Sequence, residues 1–365
     1  MVNLDIARRR LRQQCIARPL FEKPVDVVRW FGAVQAQDYA GALWALGLRM
    51  RAATAADVEQ AIADKSVVRT WFMRGTLHFV PGEDLRWMLQ LMAPRMRRLL
   101  DSAISYNKLE LDETTIGRSN AVIASALQGG KQLTREELAE ALAGAGIASE
   151  GLRRSFLIQH AQVDSLICYA TRRGKQATFA LIDEWVPPAP LLERDEALAT
   201  FARRYFTGHG PATLQDFTFW SGLTVTEART GLEMIQSELL HETINGQVYW
   251  FAPSTPPASE SEPGAHLLPN YDEYMVGYTD RGAIFDEANV GKLHAHARGG
   301  ILTNTIVVDG QVFGTWTHIT RKNTIVIEPH LLHSLSEEES RAVTLAAGRY
   351  GAFLACSVTI PSQMG

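Results

Sequence analysis

Two glutamines one residue apart, Gln35 and Gln37, interrupt the apolar run "WFGAVQAQDYAGALWALGL" from Trp30 to Leu48. A side-chain amide moved out of water without partners costs a few kcal/mol. Either the fold satisfies both amides or a bound molecule does. Residues i and i+2 share a face only in extended or loop backbone. For both amides to enter one pocket, the helix begun at Val25 must therefore end near Val34. Two amides can orient a water and can donate or accept hydrogen bonds, but they are neither a general acid nor a strong base. The structural alternative is that they cap a helix C-terminus.

Other chemistry-bearing residues cluster in two places. "MRGTLHFV" sets Arg74 and Gly75 in a turn with His78 on the strand that follows, and Arg69 lies on the strand before it. An arginine at such a turn can touch phosphate or enter a minor groove; a lone strand histidine more often packs. "NYDEYMVGYTDR" gathers Tyr271, Asp272, Glu273 and Arg281. Adjacent acids suit general acid–base work, and a carboxylate–Arg281 or carboxylate–backbone network that holds the fold is the even alternative. Asp38 follows the glutamines directly. His294 and His296 have strand spacing but no third ligand pattern near them, so no metal site is expected. No GxxxxGK[ST] or GxGxxG occurs, which removes a nucleotide-phosphate loop. Trp44 and Trp71 read as core.

The elements that must position these residues follow from composition and period. A chain of 365 residues, 46% hydrophobic and 21% charged, has material for several domains. Three widely separated cysteines, Cys15, Cys168 and Cys356, with no CxxC spacing argue against disulfides and zinc. With no apolar run of transmembrane length and no signal-peptide core, a cytoplasmic protein is expected. The net charge is −4, yet residues 1–100 carry 16 Lys and Arg against 9 Asp and Glu. Such an imbalance can be a phosphate-binding face, or a solvated helix surface such as "ARRRLR".

Along the chain one grammar recurs three times: helices, then two short strands around a tight turn. "VVRTWFM" and "TLHFVP" flank Arg74–Gly75; "ICYA" and "ATFALI" flank "TRRGKQ"; "LHETI" and "QVYWFAP" flank Asn245–Gly246. Capping signals precede the helices, with Thr134 three residues before Glu137. Helix–turn–helix followed by a hairpin is the winged-helix pattern. "PSTPPASESEPGA" reads as a linker, after which "HLLPNYDEYMVGY", "GGILTNTIVVDGQVFGTW" and "NTIVIEP" read as short β runs closed by one helix. The fold class expected is α+β, three tandem winged-helix motifs followed by a small C-terminal antiparallel β-barrel. The boundaries expected are 1–104, 105–190, 191–254 and 255–365.

"WFGAVQAQDYAGALWALGLR", "RTWFMRGTLHFV", "LLPNYDEYMVGYTDR" and "GQVFGTW" together resemble the AlkZ/YcaQ family of DNA glycosylases. That family combines tandem winged helices with a C-terminal β-barrel, and divides on a motif of glutamine–apolar–glutamine or glutamine–apolar–aspartate. Gln35-Ala36-Gln37 is similar to the first, AlkZ-like branch; Asp38 stands one place too late for the second.

The resemblance implies a monofunctional DNA glycosylase for N7- or N3-alkylated purines, including bulky or crosslinked bases, in double-stranded DNA. Hydrolysis of a nucleoside's N-glycosidic bond passes through an oxocarbenium-like sugar, and an alkylated purine that already carries positive charge leaves without protonation. An uncharged pair of amides facing an open pocket suits such a lesion. In this reading Gln35 and Gln37 are catalytic, Arg69, Arg74 and His78 meet DNA, and Asp38, Tyr271, Asp272 and Arg281 support them. No metal or organic cofactor is implied, and a monomer acting on nucleoid DNA is expected. The rivals are a non-catalytic winged-helix transcriptional regulator and a protein-interaction scaffold. A DNA binder loses affinity steeply with salt, whereas a scaffold has little to lose.

Overall fold

In the computed structural model, residues 4–253, 264–284 and 303–361 are described. His294, His296 and nearly all of the Pro/Ser-rich stretch lie outside them. From the N-terminus come helices Leu4–Gln13 and Pro24–Phe31, strand β1 (Val34–Gln35), helices Tyr39–Gly47 and Ala55–Ala63, and strands β2 (Val67–Phe72) and β3 (Thr76–Pro81). A long helix, Leu85–Asn107, leads to helix Glu113–Leu127, β4 (Leu133–Thr134), helices Arg135–Gly144 and Gly151–Val163, then β5 (Ile167–Tyr169) and β6 (Thr178–Leu181). Helices Arg194–His209, Leu214–Ser221 and Val225–Ile235 precede β7 (Leu240–Ile244) and β8 (Gln247–Phe251). The remainder is β9 (Ala265–Leu268), β10 (Thr305–Val308), β11 (Gln311–Arg321), β12 (Thr324–Leu331), helix Glu337–Phe353 and β13 (Ser357–Thr359).

Local signals explain where the helices begin. Thr134 accepts from the Glu137 amide while the Glu137 carboxylate takes the Thr134 N–H at 2.7 Å, and Thr224 with Glu227 repeats the box. Between β7 and β8, Asn245 and Gly246 both hold positive φ, as a two-residue hairpin turn requires. Helix Tyr39–Gly47 hides from a periodicity search because it is apolar nearly all round. Helix Arg194–His209 is likewise absent from the sequence reading.

By internal contacts the chain forms two units. The first takes residues 1–58, 199–220 and 224–365; the second takes 59–198 and 221–223. In the second, the sheet runs β3-β2-β5-β6-β4. Ile123, Leu127, Leu138, Leu142, Leu157 and Phe179 pack its core against the helices.

The first unit holds a five-stranded sheet in the order β13-β12-β11-β10-β9. A closed, wholly antiparallel barrel is not what the described residues form. The two ends of the sheet are different strands, and β13 runs parallel to β12 because helix Glu337–Phe353 carries the chain back between them. Trp44 anchors helix Tyr39–Gly47 by donating to the Leu267 carbonyl at 2.7 Å, and its ring lies 5.3 Å from Tyr350 and 5.2 Å from Phe353. At Gly47 a methyl would run into the Phe353 ring, so only glycine allows that approach.

"PNYDEYMVGY" does not continue as a strand. Tyr271 takes a left-handed backbone, φ +59, and Asp272 caps a helical turn, Glu273–Val276, by accepting from the Tyr274 N–H at 2.9 Å. Among the described residues no helix is long and apolar enough to cross a membrane, and no three His, Cys, Asp or Glu are grouped to hold a metal ion.

His266, on β9, carries a pH prediction. Burial first, and then the charge of Arg349, push its imidazole down to about 3. The unfolded chain titrates near the ordinary value, about 6.5. Between those values the unfolded state binds more protons, so stability is present above the upper value and lost as pH falls. From about pH 6.5 to about pH 4.5 the loss is on the order of 2–3 kcal/mol. His266→Gln should flatten the melting temperature over that range; an unchanged acid slope would assign the loss to other groups.

Candidate active site

Helix Pro24–Phe31 begins with proline at its first turn, where no N–H is missed, and ends at Gly32, φ +83. The chain is thereby released to run extended through β1, which is the local condition for Gln35 and Gln37 to share a face. Their environments nevertheless differ. Gln35 is 8% exposed, whereas Gln37 is solvent-exposed. The expectation that both amides face an open pocket fails at Gln35, because β1 lays that residue against the interior.

What lies against Gln35 is a carboxylate. The Gln35 backbone N–H donates to Glu273 Oε1 at 2.7 Å. The other oxygen, Oε2, accepts from Trp220 Nε1 at 2.8 Å and faces His209 Nε2 at 3.0 Å. Glu273 is fully buried. Since a carboxylate only accepts, His209 presents its Nε2–H there. The imidazole stacks on Tyr205 with centroids 4.5 Å apart, and the Trp220 ring lies 4.9 Å away. Burial holds His209 below its ordinary value, with Glu273 opposing.

Asp272 is equally enclosed and belongs to another cation than the one the sequence suggested. Both its oxygens take bonds from Arg49, at 2.8 and 2.9 Å. Arg49 also donates to Gln14 Oε1 and to the Ala45 carbonyl, each at 2.8 Å. Burial pulls Arg49 down, but Asp272 outweighs it and holds the guanidinium above its ordinary value. Gln14 continues the network to Tyr278 Oη at 3.0 Å, and that hydroxyl donates to the His209 carbonyl at 2.8 Å. Arg281 instead donates to the Met275 carbonyl at 2.7 Å, closing the turn after Glu273. Tyr271 is half-buried at the strained position of that turn.

These bonds settle the chemistry of the acid pair. Asp272 and Glu273 have their oxygens committed to buried donors, so neither is placed to activate a water. Glu273, His209, Arg49 and Trp220 were missed as site residues. Only the Asp-Glu doublet was visible locally; the other partners lie 53 to 223 positions away. Asp38 is half-buried at the start of helix Tyr39–Gly47; its charge opposes the burial that lowers His318 and adds to the burial that raises Tyr350. A side chain at Gly41 would meet Asn270 Oδ1 at 2.6 Å and Asp38 Oδ2 at 2.9 Å, so these two oxygens flank the same bare backbone.

Arg69, Arg74 and His78 belong to the second unit. Arg74 and Gly75 form the β2–β3 turn, with φ +55 and +76. Next to Arg74, across Gly222, lies Arg95 of the long helix, where Arg95, Arg97 and Arg98 are exposed. Arg69 covers the Tyr169 ring at 5.1 Å. His78 is fully buried, its Nδ1 3.2 Å from the Thr76 carbonyl and its ring edge-on to Phe72. A direct contact with DNA is therefore replaced, at His78, by a packing role. Some of the N-terminal positive excess is structural too, since Arg10 and Arg49 are both buried.

Three comparisons bear on the site. The family described as DNA glycosylase AlkZ-like matches residues 28–353. An interstrand DNA cross-link repair glycosylase of Streptomyces sahachiroi is 28% identical over 348 residues, covering 88% of this chain and 90% of that protein. Among solved structures, the Streptomyces sahachiroi DNA glycosylase AlkZ superposes with a TM-score of 0.78 over 99% of both chains at 22% identity, a likeness of fold.

Proposed function

This chain belongs to the AlkZ-like family of DNA glycosylases, which hydrolyse N-glycosidic bonds, and we propose that it is a monofunctional enzyme for cationic N7- or N3-alkylated purines in duplex DNA, bulky and crosslinked bases included. The observation that carries the reading is the strand that ends at Gln35, tied by its backbone N–H to the buried Glu273 and followed by the exposed Gln37. The relative named as an interstrand cross-link repair glycosylase extends the substrate class to crosslinks.

The chemistry asked of the site is small. The alkylated purine takes the bonding electrons and leaves neutral. A water adds to C1′ of the oxocarbenium-like sugar and loses its proton to solvent. Gln37, exposed, and Gln35, backed by Glu273, hold that water and the sugar. Preorganised dipoles that need not reorient are the economical way to stabilise such a charge. Asp38, beside Gln37, lends a negative field to the same edge.

Three repeats of helix, short strand, two helices and hairpin are read as three winged helices. The third keeps its short strand as one bridge, Ala212 to Trp250. Arg74, with the neighbouring Arg95 and the exposed Arg97 and Arg98, supplies phosphate contacts, and the C-terminal sheet acts as a half-barrel. The enzyme works as a monomer on nucleoid DNA in the cytoplasm, with no metal or organic cofactor.

The test is release of free base from a duplex containing a single 7-methylguanine, followed by chromatography. The expected product is an abasic strand that stays intact until alkali is added, and borohydride should trap no protein–DNA adduct, because Gln35 and Gln37 offer amides rather than an amine nucleophile. A trapped adduct would remove the monofunctional assignment. No base release from 7-methylguanine or a bulkier N7 adduct would remove the substrate class.

A further inference from the structure

Glu273 has no substrate role in the reading above, yet its side chain accepts from the backbone N–H of Gln35. Its three bonds are unequal in kind. Oε1 holds a main-chain N–H of the catalytic strand at 2.7 Å, while Oε2 is held by two ring N–H groups, of Trp220 at 2.8 Å and His209 at 3.0 Å. Both rings are enclosed. Trp220 and His209 are fully buried, and they pack with each other and with Tyr205 and Phe31 at centroid distances of 4.5 to 5.1 Å. The carboxylate thus bridges an aromatic block and the two-residue strand β1.

We propose that Glu273 is a positioning residue for base excision: held by His209 and Trp220, it sets the place of Gln35 through that residue's backbone. The inference rests on Gln35 being part of the excision site. It explains why a full negative charge is kept in an enclosed place where it touches no reacting atom. Burying an ion is expensive unless several donors meet it. Here two donors are spent holding the carboxylate and the third is the group it holds. Asp272 next door cannot substitute, because Arg49 occupies both its oxygens.

Glu273→Gln tests the idea at nearly constant shape. The amide has one oxygen, and two ring donors compete for it against one main-chain donor. The orientation favoured turns the oxygen toward His209 and Trp220 and the NH2 toward the Gln35 N–H, donor against donor. Gln35 is then pushed out of place. With a 7-methylguanine duplex, single-turnover excision should fall tenfold to a hundredfold. Affinity for a duplex carrying a stable abasic analogue should stay within about twofold, and amide exchange in the peptide spanning 33–38 should speed up at least tenfold.

A merely structural role would lower the melting temperature and the active fraction while the rate per active molecule stayed put. A folded Glu273→Gln protein with parental rate and parental exchange overturns the proposal. Should that variant not fold, Trp220→Phe leaves the Gln35 bond but removes one of the two anchors; it is expected to lose threefold or more in rate, and a parental rate there overturns the proposal equally. If the parent itself releases no base, the substrate reading fails. The exchange measurement still decides the bridge, since unchanged protection in Glu273→Gln refutes it.

Discussion

Gln37→Ala is expected to excise 7-methylguanine at least tenfold more slowly than the parent while melting at the same temperature. Gln37 is exposed, and surface changes usually stay within about 0.5 kcal/mol. A single well-aimed polar contact to a transition state is worth about 2.7–4 kcal/mol, which in rate is a hundredfold or more. Gln35→Ala should lose rate on the same scale and also about 1–2 kcal/mol of stability, because its side chain is removed from a site only 8% exposed. If Gln37 serves the fold or an unreactive DNA complex, the rate per folded molecule does not change. Single-turnover kinetics beside a melting curve on both variants makes the distinction. Full excision by both would remove Gln35 and Gln37 from the excision chemistry.

The second large effect concerns the neighbouring ion pair. Asp272 and Arg49 are both essentially inaccessible, and the pair is bidentate. Asp272→Ala leaves a buried guanidinium without its counter-charge, which costs about 3–5 kcal/mol. That is a large part of the roughly 5–15 kcal/mol available to a folded domain. Replacing both partners with apolar groups, Arg49→Met with Asp272→Leu, should recover most of it, since a well-packed apolar pair is often as stable as the ions it replaces. Urea unfolding of the two singles and the double reads this directly. A single variant within about 1 kcal/mol of the parent would mean that water or another base satisfies Arg49.

How far the sequence reached is clearest from which residues it placed. Thr134 with Glu137 was readable because a capping box is complete within four residues. The end of helix Pro24–Phe31 ahead of Gln35 was readable because the two amides demanded it. The Arg74–Gly75 turn was readable from glycine and alternation. By contrast, Arg281 and Arg49 compete for the same acid on paper, and nearness along the chain favours the wrong one. His78 was assigned a DNA contact because exposure cannot be inferred for a polar residue amid apolar neighbours. Glu273 stood beside Asp272 with nothing to say that one would meet an arginine and the other a backbone amide. The turn that separates their directions depends on the left-handed Tyr271, which carries no glycine to announce it. The parallel strand β13 was hidden for a similar reason, as strand direction is set by the helix that precedes it.

The bond from Gln35 to Glu273 spans 238 positions and that from Arg49 to Asp272 spans 223. Contacts so distant along the chain close late, because the loop entropy must be met before they return anything. During synthesis Gln35 leaves the ribosome long before Glu273, which takes its backbone N–H. A chain interrupted after the third hairpin would hold Gln35 without Glu273. On the proposed positioning role of Glu273, competence for base removal is therefore the last property the chain acquires.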